Sequence, residues 1–407
     1  MSVTGNNHAY SGRYNRRLVF DLVRTRGETS RGELVSLTGL QPQTISNITR
    51  ELQERGLLRE ESRPDGSRGA PQKILAIASH AGCSIGLHLD RDELIGVACD
   101  LSAREVARAS TRLNWRDPDA SVKGMAALVS QLTGECPDVP AWGVGIAMPT
   151  LQEADYEQYV GSPGWQEWSH IDVADALEAA CGLPVIVEND ATAAAIAELQ
   201  AGDASELSHF VYVFIGHGLG AGIIIDGLPF QGAFSNAGEI GLLSWPADLK
   251  PPETASATPF SVDELAIMIG CDPAALEQPG ALERLYHDRD GELMRWLELN
   301  SQRLRQLVAM IENMFDPQAI FVGGSFPTLL LSSLVDRCYP LLASVAARKN
   351  RAGPRLRLAS LGASASAVGA AMLPIIAHGS PDFRRLSLMR GRKDAVDPEI
   401  RFDRVAG

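Results

Sequence analysis

Residues 29–55 read TSRGELVSLTGLQPQTISNITRELQER. Thr29-Ser30 offers a helix N-cap, Glu33 stands where a capping-box partner of Ser30 belongs, and Leu34, Val35 and Leu37 supply the apolar side of a short helix. Gly39 stops that helix, because glycine takes a positive φ at almost no steric cost and turns the chain within Thr38-Gly39-Leu40. Pro42 suits the first turn of a further helix, Gln43 to Arg55, whose Ile45, Ile48 and Leu52 recur at spacings of three and four and face inward. Upstream, Leu18, Val19, Leu22 and Val23 form one stripe of a first helix that starts near Tyr14. Two short helices joined by a glycine turn make a helix-turn-helix, whose second helix enters the DNA major groove.

The outward positions of that second helix are Gln41, Gln43, Thr44, Ser46, Asn47 and Arg50. Glutamine and asparagine pair with adenine edges, hydroxyls reach bases or phosphates, and arginine suits guanine or phosphate. The other reading of the same face is a solvated hairpin. Leu57 to Glu61 and Ile74 to Ile77 then read as two strands around Asp65-Gly66, a winged extension whose Arg68 either enters a minor groove or stays in solvent near phosphates.

Charge divides along the same line. Residues 1–78 hold 12 Lys and Arg against 8 Asp and Glu, a surplus of +4, leaving 25 against 42, or −17, for the remainder. A basic module that meets a polyanion is thereby joined to an acidic one with another task. The six cysteines show no CxxC or CxC pairing, which points to reduced buried thiols and excludes a zinc finger. Neither a signal peptide nor a membrane span is expected, so a cytoplasmic location follows.

Beyond residue 79, three apolar strands (83–89, 94–99, 106–113) precede alternating helices and strands, with Trp142 to Ala147 and Phe210 to Ile215 as buried strands and a long helix from about Glu292 to Met314. Such alternation implies mixed sheets covered on their faces. Four stretches carry a family likeness: Gly143-Val144-Gly145-Ile146-Ala147-Met148-Pro149; Glu188-Asn189-Asp190-Ala191-Thr192-Ala193-Ala194-Ala195; Gly216-His217-Gly218-Leu219-Gly220-Ala221-Gly222; and Ala237-Gly238-Glu239-Ile240-Gly241. With the helix-turn-helix ahead of them, the chain from about 10 to 375 resembles the transcriptional-regulator branch of the ROK family of repressors, open reading frames and kinases.

The resemblance implies an α/β fold: a winged helix-turn-helix over 1–78, then a two-lobed, actin-like or sugar-kinase-like body with a first lobe over 79–197 and a second over 198–374. The segment from about 375 to 407 is expected to complete the first lobe. It also implies a sugar pocket in which Asn189, Asp190 and Glu239 bond hydroxyls, converging acceptors being suited to polyols; capping by Asp190 and a turn-supporting Glu239 are the structural alternatives. Trp165 either stacks on the sugar or belongs to the core. The family kinases' first phosphate loop aligns with His88-Leu89-Asp90-Arg91-Asp92, whose added carboxylates repel phosphate, so nucleotide binding and catalysis are not expected and no catalytic residue is assigned. The family's zinc-ligating His is Leu242 here, with no cysteine before Cys271, so no cofactor or metal site is expected and the segment to Thr258 must hold its shape by packing or move.

The expected function is a sugar-responsive regulator, a repressor of carbohydrate genes, binding a double-stranded operator as a homodimer or homotetramer. A sugar kinase with an appended DNA-binding module is the alternative, and a regulator answering to a protein partner is a third reading.

Overall fold

The structure, a computed structural model, describes residues 8–63, 72–78, 80–149, 165–246, 249, 258–348, 351 and 353–381. Its N-terminal module comprises α1 (His8–Arg26), β1 (Thr29–Ser30), α2 (Arg31–Thr38), α3 (Pro42–Glu54), β2 (Leu58–Arg63) and β3 (Gln72–Ile77). The capping box forms: Ser30 Oγ accepts the Glu33 N–H at 3.2 Å, and the Glu33 carboxylate accepts the Ser30 N–H at 2.6 Å. Gly39, at φ 67°, closes α2 by donating to the Val35 carbonyl. Thr29 and Ser30 also pair with Leu75 and Ile74, so the wing is a three-stranded antiparallel sheet of order β1-β3-β2. Two residues are too short to carry a strand signal beside a strong cap. The wing tip, with Arg68, lies outside the described residues.

The body holds two sheets. The first lobe runs β4 (Cys83–Asp90), β5 (Glu93–Asp100), β6 (Glu105–Arg112), α4 (Pro118–Gly134), β7 (Ala141–Met148), α5 (Val173–Cys181), β8 (Val185–Asn189) and α6 (Asp190–Ala201). The second runs β9 (Phe210–Ile215), β10 (Leu219–Ile225), β11 (Leu228–Pro229), α7 (Val262–Ile269), α8 (Pro273–Leu276), α9 (Ala281–His287), α10 (Gly291–Phe315), β12 (Ala319–Gly324), α11 (Thr328–Arg337), β13 (Leu356–Leu358) and α12 (Ala365–Gly379). Strand orders are β6-β5-β4-β7-β8 and β11-β10-β9-β12-β13. Each is an antiparallel meander extended by two parallel strands, the same topology twice.

The helix that follows each sheet crosses to the other. α6 lies on β9 and β10, α12 lies on β4 and β7, and the two helices pack on one another. Residues 362–379 are apolar enough to match the length and composition of a membrane span, yet 83% of that window is buried inside the protein. One apolar cluster runs from Val19, Phe20, Leu34 and Ile45 of the N-terminal module through Trp142 to Ala191 of α6, Ala371 of α12 and Phe210 of the second sheet. The N-terminal module therefore shares its core with the body. All six cysteines are free, and four are buried.

Candidate functional site

Two surfaces carry the functional residues. On α3, Ile45, Ile48 and Leu52 are buried while Gln41, Gln43, Asn47 and Arg50 are exposed and Thr44 and Ser46 half-buried. Asn47 Oδ1 accepts from both Gln43 Nε2, at 3.1 Å, and Arg50 Nη2, at 2.8 Å. The exposed row is thereby held together by its own hydrogen bonds. Arg31 donates to Thr49 Oγ1 at 2.9 Å and pairs with Glu60, bracing α2 against α3 and β2. The sequence alone did not single Arg31 out.

The second surface lies between the lobes. β8 delivers Asn189 and Asp190 to the start of α6, where Asn189 Oδ1 accepts from the Ala191 N–H at 2.9 Å and the Thr192 N–H at 3.3 Å. Asn189 is thus the N-cap, and capping consumes its carbonyl oxygen. The Asp190 carboxylate accepts the Ala191 N–H at 2.8 Å, and its backbone carbonyl accepts Ser366 Oγ at 3.0 Å. Burial, with the charges of Asp90 and Glu239 nearby, pushes the Asp190 carboxyl up to about 7. Glu239, beside the short helical turn Ile240–Leu242, is pushed up to about 7 by burial. The side chain of Trp165 lies outside the described residues.

At the other end of the cleft, the β4–β5 turn reaches into the second lobe. Ser325 Oγ donates to the Asp90 carboxylate, and the His217 ring sits 3.8 Å from Asp90 Oδ1 through Nε2 and 3.8 Å from Glu277 Oε1 through Nδ1. Burial opposes ionisation of Asp90, but the His217 and His88 rings and the Ser325 hydroxyl outweigh it and hold the carboxyl below its usual range. Arg91 pairs with Asp263 at 2.5 Å and reaches Glu277 at 3.5 Å. A cavity of about 260 Å³ opens here, lined by Asp90, Arg91, His217, Glu277 and Ser325 among others; its lining does not include Asn189, Asp190 or Glu239.

Leu242 is exposed. Leu249 and Phe260 are both bonded to a buried ion pair. Arg303, fully buried on α10, donates to the Leu249 carbonyl at 2.8 Å, to Asn300 Oδ1 at 2.9 Å and to Glu264 at 2.6 Å, while Glu264 accepts the Phe260 N–H at 3.1 Å. Among the described residues no group of three His, Cys, Asp or Glu has the geometry to hold a metal ion.

The raised carboxyls make stability depend on pH. Unfolded, Asp190 and Glu239 ionise near 4; folded, both are held at about 7, so folding takes up protons in between and stability falls as pH rises from about 4 to 7. The melting temperature is expected to drop between pH 5 and pH 7.5 more in the wild type than in an Asp190→Asn, Glu239→Gln double variant. Equal slopes in a thermal-shift series would refute it.

The two-sheet fold with crossed helices defines a two-lobed α/β body. Residues 86–254 match the sequence profile of the ROK family. The chain is 28% identical over 364 residues, 88% of this chain and 90% of the relative, to the uncharacterized protein y4fQ of Sinorhizobium fredii. It is 27% identical over 229 residues to the xylose repressor of Bacillus subtilis, a match that covers 56% of this chain and 59% of that repressor. Among solved structures, a ROK family transcriptional regulator, described as a homolog of the Escherichia coli MLC protein, superposes with a TM-score of 0.66 at 22% identity, covering 90% of this chain and 96% of the other.

Proposed function

We propose that this chain is a sugar-responsive DNA-binding transcriptional regulator, a repressor rather than a kinase, working in the cytoplasm as a homodimer or homotetramer on a double-stranded operator. The single observation that carries it is the ordered polar row Gln43, Asn47, Arg50 on an exposed helix that shares its core with a sugar-kinase-like body. The likeness to a xylose repressor supports a sugar as the effector. Asn189, Asp190 and Glu239 are assigned to the sugar, and Gln41, Gln43, Thr44, Ser46, Asn47, Arg50 and Arg68 to DNA. The sugar acts by binding one lobe arrangement more tightly than the other, since equal affinity shifts nothing. No zinc is assigned in this reading; the buried Arg303 and Glu264 pair instead holds the Leu249 carbonyl and the Phe260 N–H.

The test is selection of operator duplexes from a randomised pool, followed by anisotropy titrations at several salt concentrations. Arg50→Ala or Asn47→Ala is expected to cost about 1–3 kcal/mol of specific binding, or roughly 5- to 150-fold in Kd, while non-specific binding changes little. A pool that yields no preferred sequence would end the reading. For the kinase alternative, a coupled assay with ATP over a sugar panel decides: turnover lost in Asp190→Asn would establish it. The Asp90 carboxylate, set against Ser325 and His217 where phosphate would lie, weighs against that outcome.

A further inference from the structure

Helix α12 touches the proposed effector site at one end and the DNA-reading module at the other. At its start, Ser366, 1% exposed, donates from Oγ to the backbone carbonyl of Asp190 at 3.0 Å. Along its length it is seated against α6 without slack. A methyl group on Gly369 would lie 1.7 Å from the Ala193 carbonyl oxygen, so the two helices cannot slide independently. At its end, the His378 ring meets Trp142 edge to face at 6.0 Å, and Trp142 stacks on Phe20 of α1 at 5.8 Å. A methyl group on Gly379 would stand 2.6 Å from Phe20 Cε1. Phe20, Trp142 and His378 are all buried, so a shift of the helix end has no solvent gap in which to dissipate. From Ser366 to Gly379 the helix spans about 20 Å at 1.5 Å per residue.

We infer that α12 is the element that couples the cleft to the recognition helix: a displacement of the α6 start, sensed through the bond from Ser366 to Asp190, moves the Gly379 end against Phe20 and so tilts α1 and the α3 that packs on it. Contacts between α1 and α3 complete the path. The inference rests on the regulator reading above. It adds a physical route to it, and thermodynamic coupling along that route must act equally in both directions.

Two measurements test it. The first uses hydrogen–deuterium exchange on the full chain without ligand or DNA. Ser366→Ala, which removes one hydrogen bond and adds no volume, is expected to speed exchange in residues 13–26 of α1 while leaving α7 unchanged. Gly379→Ala, which presses on Phe20 from the far end, is expected to alter exchange at residues 189–194 of α6. Changes confined in both variants to the helix turn that carries the substitution would overturn the inference. The second measures the Kd of a selected duplex with and without D-xylose or N-acetylglucosamine. Where either sugar shifts the wild-type Kd at least fivefold, Ser366→Ala is expected to bring that ratio below two, with both separate affinities within about twofold of wild type. A ratio retained in Ser366→Ala overturns the coupling role even though the regulator reading stands. A wild type that binds no duplex defeats the regulator reading instead, and the exchange experiment still decides the coupling.

Discussion

Arg303→Met is expected to cost about 3–5 kcal/mol of folding stability, because it leaves the Glu264 carboxylate buried without its cation. Both side chains are wholly inaccessible, at 2.6 Å, and the same guanidinium also serves the Leu249 carbonyl and Asn300. Its loss therefore unfastens three places at once: the Leu249 backbone, the start of α7 and the middle of α10. Pairing it with Glu264→Leu removes the stranded charge, and the double variant is expected to recover more than half of the loss, since an ion pair replaced whole by apolar groups is often neutral. Chemical denaturation of the four proteins measures both effects. A single variant within 1 kcal/mol of wild type would mean that water reaches Glu264.

The largest functional effect is expected from Glu239→Ala, which should abolish the response of DNA binding to sugar while the DNA affinity itself persists. Glu239 lies with Asp190 in a part of the cleft where burial holds both carboxyls near neutral pH, and polyol hydroxyls need such paired acceptors to replace lost water. The recognition row on α3 bonds within itself and does not depend on the cleft for its order. Anisotropy titrations of a selected duplex across a sugar gradient read the effect. A normal response in the variant would place the pocket elsewhere.

Local chemistry made the N-terminal module legible: Ser30, Glu33 and Gly39 act within a few residues of one another, and the structure uses each as its type suggests. The family likeness singles out Asn189, Asp190 and Glu239, and the structure spends the carbonyl oxygen of Asn189 on the cap of α6. What stayed hidden is long-range. Ser325 meets Asp90 and Arg303 meets Glu264 across wide sequence gaps, and a lone arginine in an amphipathic helix reads as a solvent residue until its partner is placed. The repeated strand order was invisible for a related reason: the two sheets share topology while their connections differ, with the second inserting α7 to α10 before its fourth strand.

Crossed terminal helices also govern biogenesis. A chain emerging from the ribosome has its entire N-terminal module exposed early, yet the seat of Phe20, begun by Trp142, is completed only when residues up to Gly379 have been synthesised. Contacts between such distant segments slow folding, because the intervening loop must be ordered before they form. Prematurely terminated products, lacking the closing helix, would leave the apolar face of the first sheet, on β4 and β7, open.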